Sequence, residues 1–170
     1  MTTLEILTAP DPRLKKKSEP VSKVDKETLD TLDNMLETMY EANGIGLAAP
    51  QVNIHKRLVV IDLQREGKND KPLYFVNPEI VDVSDHDVEY EEGCLSVPQH
   101  YAGVVRPDKV TIAYLDREGK KQKLEADGLL ACCIQHEIDH LDGILFIDHI
   151  SQLKRNMILR KLIKTKKAIS

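Results

Sequence analysis

Apolar residues recur at intervals of three and four positions in three stretches of the chain, which is the spacing of one helix face. These stretches cover residues 25–43, 128–141 and about 151–165. Asp25 and Asp127 stand at typical helix starts, and the pairs Asn43-Gly44 and Asp142-Gly143 stand at typical helix ends. We therefore predict three helices, preceded by a short helical turn at residues 10–17.

Between the helices the pattern favours β-strands. Short runs rich in Val, Ile, Leu and Tyr alternate with turn-forming pairs such as Asn77-Pro78 and Ser84-Asp85. The predicted strands cover residues 57–63, 73–76, 79–83, 87–90, 109–115 and 120–126. The last two flank an Asp-Arg-Glu-Gly turn and predict a hairpin. Helices around a run of strands indicate the α+β class, with short, mostly antiparallel strands around a central helix and a further helix at the C-terminus.

Composition restricts the environment of the protein. Hydrophobic residues make up 41% of the 170 residues and charged residues 31%, which is ordinary for a globular protein. There is no run of 18 apolar residues, so we expect no membrane contact, and the acidic residues near the N-terminus argue against a leader or transit peptide. We therefore predict a cytoplasmic protein. Its three cysteines form no disulfide framework and are better interpreted as ligands or buried thiols.

The predicted central helix carries the most informative motif, in which His136 and His140 flank Glu137. Residues four apart share one helix face, so the two imidazoles can bind one cation. A bound divalent metal lowers the pKa of a water ligand, and the carboxylate of Glu137 can take the proton from that water. The alternative is a solvated helix with incidental histidines. The motif favours a hydrolytic metal site.

A catalytic metal site usually has a third protein ligand. In zinc proteases with the long form of this motif, a third histidine follows six residues after the second, and Phe146 occupies that position here. Proteases with the short form use a glutamate from a later helix, and no glutamate follows Asp148 in this chain. Cys94 is the candidate that remains, in a tight turn after a predicted strand, although free cysteines are more often buried as small hydrophobic residues. Two imidazoles and a thiolate suit Fe(II), Zn(II), Co(II) or Ni(II) and exclude Mg(II) and Ca(II).

Three segments of the chain resemble the motifs of the peptide deformylase family. They are GIGLAAPQ at residues 44–51, EGCLS at residues 92–96 and QHEIDH at residues 135–140. Their order and spacing also match, and the resemblance extends over nearly the whole chain. It implies hydrolysis of the N-formyl group from formylmethionine of nascent proteins, with release of formate. It also implies Fe(II) as the usual metal, which Ni(II), Co(II) or, less actively, Zn(II) can replace.

The resemblance also implies a role for each motif residue. Cys94, His136 and His140 bind the metal, and Glu137 takes a proton from water and delivers it to the leaving amine. The Gln51 side chain and the Leu95 backbone N–H stabilise the oxyanion. Gly46 lets an extended peptide approach its backbone, and an apolar pocket holds the methionine side chain. The implied substrate-binding residues are Ile45, Gly46, Tyr90, Glu92, Leu129 and Cys133, with plain core packing as the alternative for the pocket residues.

The end of the chain has a different charge from the rest. The net charge is −4, yet seven of the 24 basic residues and none of the 28 acidic residues lie after Asp148. We predict a catalytic domain over residues 1–150 and a basic amphipathic helix of the same domain over residues 151–170. Its predicted apolar stripe is Leu153, Met157, Ile158, Leu162 and Ile163. The cations are either merely solvated or, as the resemblance suggests, bind ribosomal RNA near the nascent-chain exit.

Two other functions fit part of this pattern. A metallopeptidase with the same helix motif would need a histidine or glutamate as third ligand, which the sequence does not supply. An inactive metal protein that docks on the ribosome would not need Glu137, because a structural site closes with four protein ligands and uses no base. The sequence therefore favours a deformylase over both alternatives.

Overall fold

The computed structural model describes residues 2–169, so Met1 and Ser170, the outer ends of the two predicted ranges, lie outside the described residues. The helices are α1 (Lys26–Glu41), α2 (Gly128–Leu141) and α3 (Gln152–Ile169). The strands are β1 (Gly46–Ala48), β2 (Leu58–Ile61), β3 (Leu73–Val83), β4 (Asp87–Cys94), β5 (Val97–Pro107), β6 (Lys109–Leu115) and β7 (Lys121–Asp127). Short 3-10 helices occupy Pro12–Lys15, Ala49–Val52 and Phe146–His149. The α+β prediction is confirmed.

Five strands form one antiparallel sheet in the order β1-β2-β3-β6-β7. Every residue of β2 is buried, because the sheet is covered on both faces. Val59 and Ile61 pack towards α2, whereas Leu58 and Val60 pack towards α1. This double burial explains why β2 is continuously apolar in sequence.

The pair β4 and β5 forms a separate two-stranded antiparallel sheet. No strand was predicted for β5, whose sequence contains Pro98 and Gly103 and whose burial alternates regularly only from Ala102 onward. The prediction of two strands separated by a turn at Asn77-Pro78 was wrong, because β3 runs through this point with a bulge. Asn77 adopts a positive φ there, and its side chain bonds to the backbone of Val21 instead of reversing the chain.

Helix α2 occupies the centre of the molecule. Ala131, Ile134, Ile138 and Leu141 pack with the five-stranded sheet into one core, and ten of the helix's 14 residues are buried. Asp127 stands at the N-cap position as predicted, although its side chain makes no capping hydrogen bond. Burial of the whole helix places its polar residues inside the protein, where they need partners or a function.

Helix α3 packs on the side of the two-stranded sheet. Leu162 is buried in the core that contains Val104 and Phe146, and Ile158 is partly buried there. The other three residues of the predicted apolar stripe are exposed and do not join this core, namely Leu153, Met157 and Ile163. None of the helices in the described part of the chain combines the length and apolar character that a membrane crossing requires.

Candidate metal centre and active site

Three side chains that could hold a metal ion converge at the centre of the molecule. His136 and His140 lie one turn apart on α2, and Cys94 ends β4. The Nε2 atoms of the two histidines are 3.2 Å apart, and the Cys94 Sγ lies 3.3 Å from the Nε2 of His140. One ligand atom from each residue lies within 4.8 Å of the others. The structure therefore brings together the three predicted ligands.

The donor set fits a small divalent transition metal. Ligand bonds of about 2.0–2.3 Å at tetrahedral angles place the donor atoms roughly 3.3–3.6 Å apart, close to the observed spacings. Burial lowers the pKa of His140 well below its usual value, and the nearby His136 is the second cause of this shift. This favours the neutral imidazole, which is the form that binds metal.

Glu137 lies beside this group without joining it. Its Oε2 is 4.0 Å from the Nε2 of His136, and its Oε1 is buried without a hydrogen-bond partner among residues 2–169. Burial raises the pKa of Glu137 to about 7, whereas a divalent cation nearby would favour the carboxylate form. A buried polar atom with no protein partner is expected where a reactant binds.

Gln51 approaches the same point from the short helix Ala49–Val52. Its side chain is almost fully buried, and its Oε1 accepts a bond of 2.9 Å from the Ala48 N–H. This bond orients the Nε2, which donates to Ser96 Oγ at 3.0 Å and lies 3.4 Å from Cys94 Sγ. The amide group of Gln51 is thus held with its donor end beside the candidate metal ligand.

A buried ionic network supports His136 from behind. Glu92 Oε1 lies 2.9 Å from the Nδ1 of His136, and both Glu92 oxygens accept bonds from Arg106, at 2.5 and 2.9 Å. Burial alone would raise the pKa of Glu92, but its bonds with Arg106 and His136 outweigh burial and lower that pKa to about 2. A carboxylate on the second nitrogen of a metal-binding histidine orients the ring and strengthens it as a donor.

The network continues to the surface. Arg106 also donates to Asp139 at 3.0 Å, and Asp139 lies 2.8 Å from the Nε2 of His149. Sequence reasoning did not single out Arg106, Asp139 or His149. No sequence spacing links these residues, because they come from β5, α2 and the short helix Phe146–His149 and meet only in the fold.

A cavity of about 530 Å³ opens beside the three candidate ligands. Each of the six predicted substrate-binding residues lines it, namely Ile45, Gly46, Tyr90, Glu92, Leu129 and Cys133. Gln51, Leu95 and Glu137 line it too. The sequence did not indicate Asn43, Gln99 and Tyr101, which form part of its rim. The roles of the six predicted residues in substrate binding stay predictions.

Gly46 packs directly against the base candidate. A Cβ atom at this position would lie 2.7 Å from Glu137 Oε2 and 3.0 Å from Cys133 Sγ. Only glycine therefore allows β1 to pass so close to α2 without displacing Glu137. Cys132, one residue before Cys133 on α2, donates to Glu92 Oε2 at 3.2 Å, which adds a fourth bond to that carboxylate.

Comparison with known proteins identifies the family of this chain. Residues 3–156 match the family model for polypeptide deformylase. The chain is 54% identical to the peptide deformylase of Agrobacterium fabrum over 99% of both chains, and 56% identical to peptide deformylase 2 of Xanthomonas axonopodis over the full length of both. A peptide deformylase from Ehrlichia chaffeensis, crystallised with actinonin, superimposes with a TM-score of 0.93 at 43% identity, covering 97% of this chain and 98% of that one. The chain therefore belongs to the polypeptide deformylase family of metal-dependent hydrolases.

Proposed function

We propose that this enzyme removes the N-formyl group from formylmethionyl peptides and releases formate, with a metal held by Cys94, His136 and His140. One observation carries the proposal. The Cys94 thiol and the two imidazoles of α2 converge beside a cavity that Cys94, His136 and Glu137 line. A peptidase site would use a histidine or carboxylate in place of Cys94.

A metal in this position would polarise the formyl oxygen and lower the pKa of a water ligand. Glu137 takes the proton from the attacking water through Oε1, the oxygen that has no bond to another described residue. It then delivers this proton to the nitrogen of the leaving amine. Gln51 Nε2 and the Leu95 N–H donate to the oxyanion that forms on the former carbonyl.

The cavity walls fit a formylated methionine. Ile45, Leu129 and Cys133 supply apolar contact for the side chain, and Tyr90 lines the pocket from β4. Strand β1 is an edge strand, so its backbone can pair with an extended peptide. Glu92 lines the cavity, but its carboxylate is occupied by Arg106 and His136, so we assign it to support of the metal ligand.

A direct test measures formate release from a formyl-Met tripeptide. The chelated enzyme should lose activity by at least about 100-fold and regain it on loading with Ni(II), because the reaction needs a Lewis acid. An acetyl-Met tripeptide serves as the control substrate. It should release acetate far more slowly than the formyl-Met tripeptide releases formate. Formate release that survives complete metal removal would contradict the proposal.

We further propose Fe(II) as the metal in the cell, with Zn(II), Ni(II) or Co(II) as possible occupants of a purified sample. A thiolate and two imidazoles accept all four ions, so the donor set supports these four metals without selecting one of them. Metal analysis of enzyme purified without oxygen distinguishes them. A preparation that is fully active with zinc alone would argue against iron.

We also assign residues 1–150 to the catalytic unit and residues 151–170 to a helix of the same domain, in a cytoplasmic enzyme. Burial of Leu162 in the core that contains Phe146 supports a single domain. Formylated nascent chains, the proposed substrate, are made in the cytoplasm of bacteria, which supports the location.

We propose that α3 binds ribosomal RNA through its exposed cations. Its outer surface combines apolar and basic residues, because Leu153 and Met157 are exposed next to a cluster of cations. We define this cluster as four of the exposed cations of α3, namely Lys154, Arg160, Lys161 and Lys164. Phosphate attraction to such a surface is strong at low salt and does not depend on base sequence.

Ribosome pelleting with charge variants tests this proposal without truncating a helix that belongs to the core. Changing the four cations to glutamine should reduce binding at least about tenfold at low salt, since each lost phosphate contact removes counterion release. A matched variant changes four exposed lysines on the side of the five-stranded sheet to glutamine, at positions 68, 71, 121 and 123. Equal binding by both variants would refute a specific role for α3.

A further inference from the structure

One wall of the substrate cavity consists of the five consecutive residues 42–46. This segment contains two glycines and Asn43, whose φ is +59°. Such a sequence has little preference for one conformation, and fixing it costs conformational entropy. Contacts outside the segment must therefore hold the wall in the shape that the substrate meets.

The back of this wall is bonded to the residues that follow β2. The Asp62 N–H donates to the Ile45 carbonyl at 2.9 Å, and the Gln64 side-chain amide donates to the Gly44 carbonyl at 3.4 Å. At the other end, the Asn43 N–H donates to the Tyr40 carbonyl in the last turn of α1 at 3.0 Å. The wall thus lies between the end of α1 and the end of β2.

A buried carboxylate joins these two anchors. Asp62 is only 6% exposed, and it forms no ion pair among residues 2–169. Its Oδ2 accepts a short hydrogen bond from the Tyr40 hydroxyl, and its Oδ1 accepts from the Gln64 N–H at 3.2 Å. Burial, together with this bond, raises the pKa of Tyr40, so the hydroxyl stays a donor. Because this buried carboxyl group has so few donors around it, each of its hydrogen bonds is important.

We propose that Tyr40 and Asp62 are positioning residues for substrate binding, and that their bond fixes the wall formed by residues 42–46. The proposal rests on the proposed function, because it assumes that the formyl peptide occupies this cavity. Neither residue lines the cavity or contacts a candidate metal ligand. Loss of the bond should therefore weaken substrate binding and leave the chemical step and metal content unchanged.

The test compares Tyr40→Phe with Tyr114→Phe, which removes the same hydroxyl from a tyrosine packed on Phe75 in the sheet. For Tyr40→Phe we expect KM to rise about 3- to 10-fold with kcat within about twofold of the wild type. Hydrogen exchange of a peptide covering residues 41–48 should become about tenfold faster in this variant. Tyr114→Phe should change neither quantity.

Two further variants extend the test, and the first of them keeps the proposal testable if Tyr40→Phe folds poorly. Gln64→Asn keeps a residue that tolerates the positive φ of this position but is too short to reach Gly44. Exchange at residues 41–48 should therefore rise without loss of the Tyr40–Asp62 hydrogen bond. Asp62→Asn added to Tyr40→Phe should raise KM little further, because both changes remove the same interaction.

The outcomes separate this proposal from the proposed function. Wild-type exchange and KM in folded Tyr40→Phe would overturn the positioning role. Faster exchange with no formate release by any form of the enzyme would instead contradict the proposed function, because the exchange measurement does not depend on catalysis. A fall in kcat together with lost metal would also overturn the role assigned to Tyr40, since it would place the effect at the metal centre.

Discussion

Replacing Glu137 by glutamine is expected to lower kcat for formate release by about 1,000-fold or more, with the metal still bound. The substitution keeps the size of the side chain and removes only its ability to accept a proton. General acid–base catalysis contributes about 100- to 10,000-fold to a rate. Glu137 acts in two proton transfers under the proposed mechanism, so the upper part of this range applies.

The measurement uses wild-type and variant enzyme loaded with Ni(II), with metal content determined on the same samples. Glu79→Gln provides the matched control, because Glu79 is exposed on β3, away from the cavity. It should retain the wild-type rate. A Glu137→Gln enzyme with full metal content and a kcat within tenfold of the wild type would refute the assignment of Glu137 as the base.

Replacing Arg106 by methionine is expected to reduce the free energy of unfolding by about 3–5 kcal/mol, because it leaves the Glu92 carboxylate charged and buried without its cation. Both side chains are 6% exposed, so solvent cannot compensate for the loss. The variant should also bind metal about 10- to 100-fold more weakly, since Glu92 would no longer hold the His136 ring in a fixed orientation.

Urea unfolding measures the change in the free energy of unfolding. The proteins are used without metal, because a bound metal would add its own binding free energy to the stability of each variant. Arg117→Met is the control, since Arg117 pairs with Asp33 at the surface, where both side chains are about one-third exposed. It should cost no more than about 1–2 kcal/mol. Adding Glu92→Gln to Arg106→Met should recover part of the lost stability. Equal losses for the two arginine variants would contradict a special role for the buried network.

The network also shows how long-range contacts shape the reaction site. His136 depends on Glu92, Glu92 depends on Arg106, and Arg106 also holds Asp139 on the next turn of α2. The charges alternate along this path, so each group stabilises its neighbours. The same arrangement gives partners to His136 and Asp139, two of the polar residues near the end of this largely buried helix.

The sequence by itself determined the features that depend on local spacing. The i, i+4 histidines and the intervening Glu137 were assigned correctly to one helix because helical periodicity sets their relative positions, whatever the rest of the chain does. The limits of α2, and those of α1 to within two residues, followed from apolar periodicity and end residues. Cys94 was reached only by excluding Phe146 and later glutamates, and then by family resemblance.

The tertiary structure alone decided which distant residues meet. Cys94 lies 46 positions before His140, and Arg106 lies 33 positions before Asp139, so no local pattern could report either contact. The bulge that keeps β3 continuous and the pairing that forms β5 likewise depend on neighbouring strands. Local preferences are set by each residue and its near neighbours, whereas these contacts exist only when the packed core brings separate elements together.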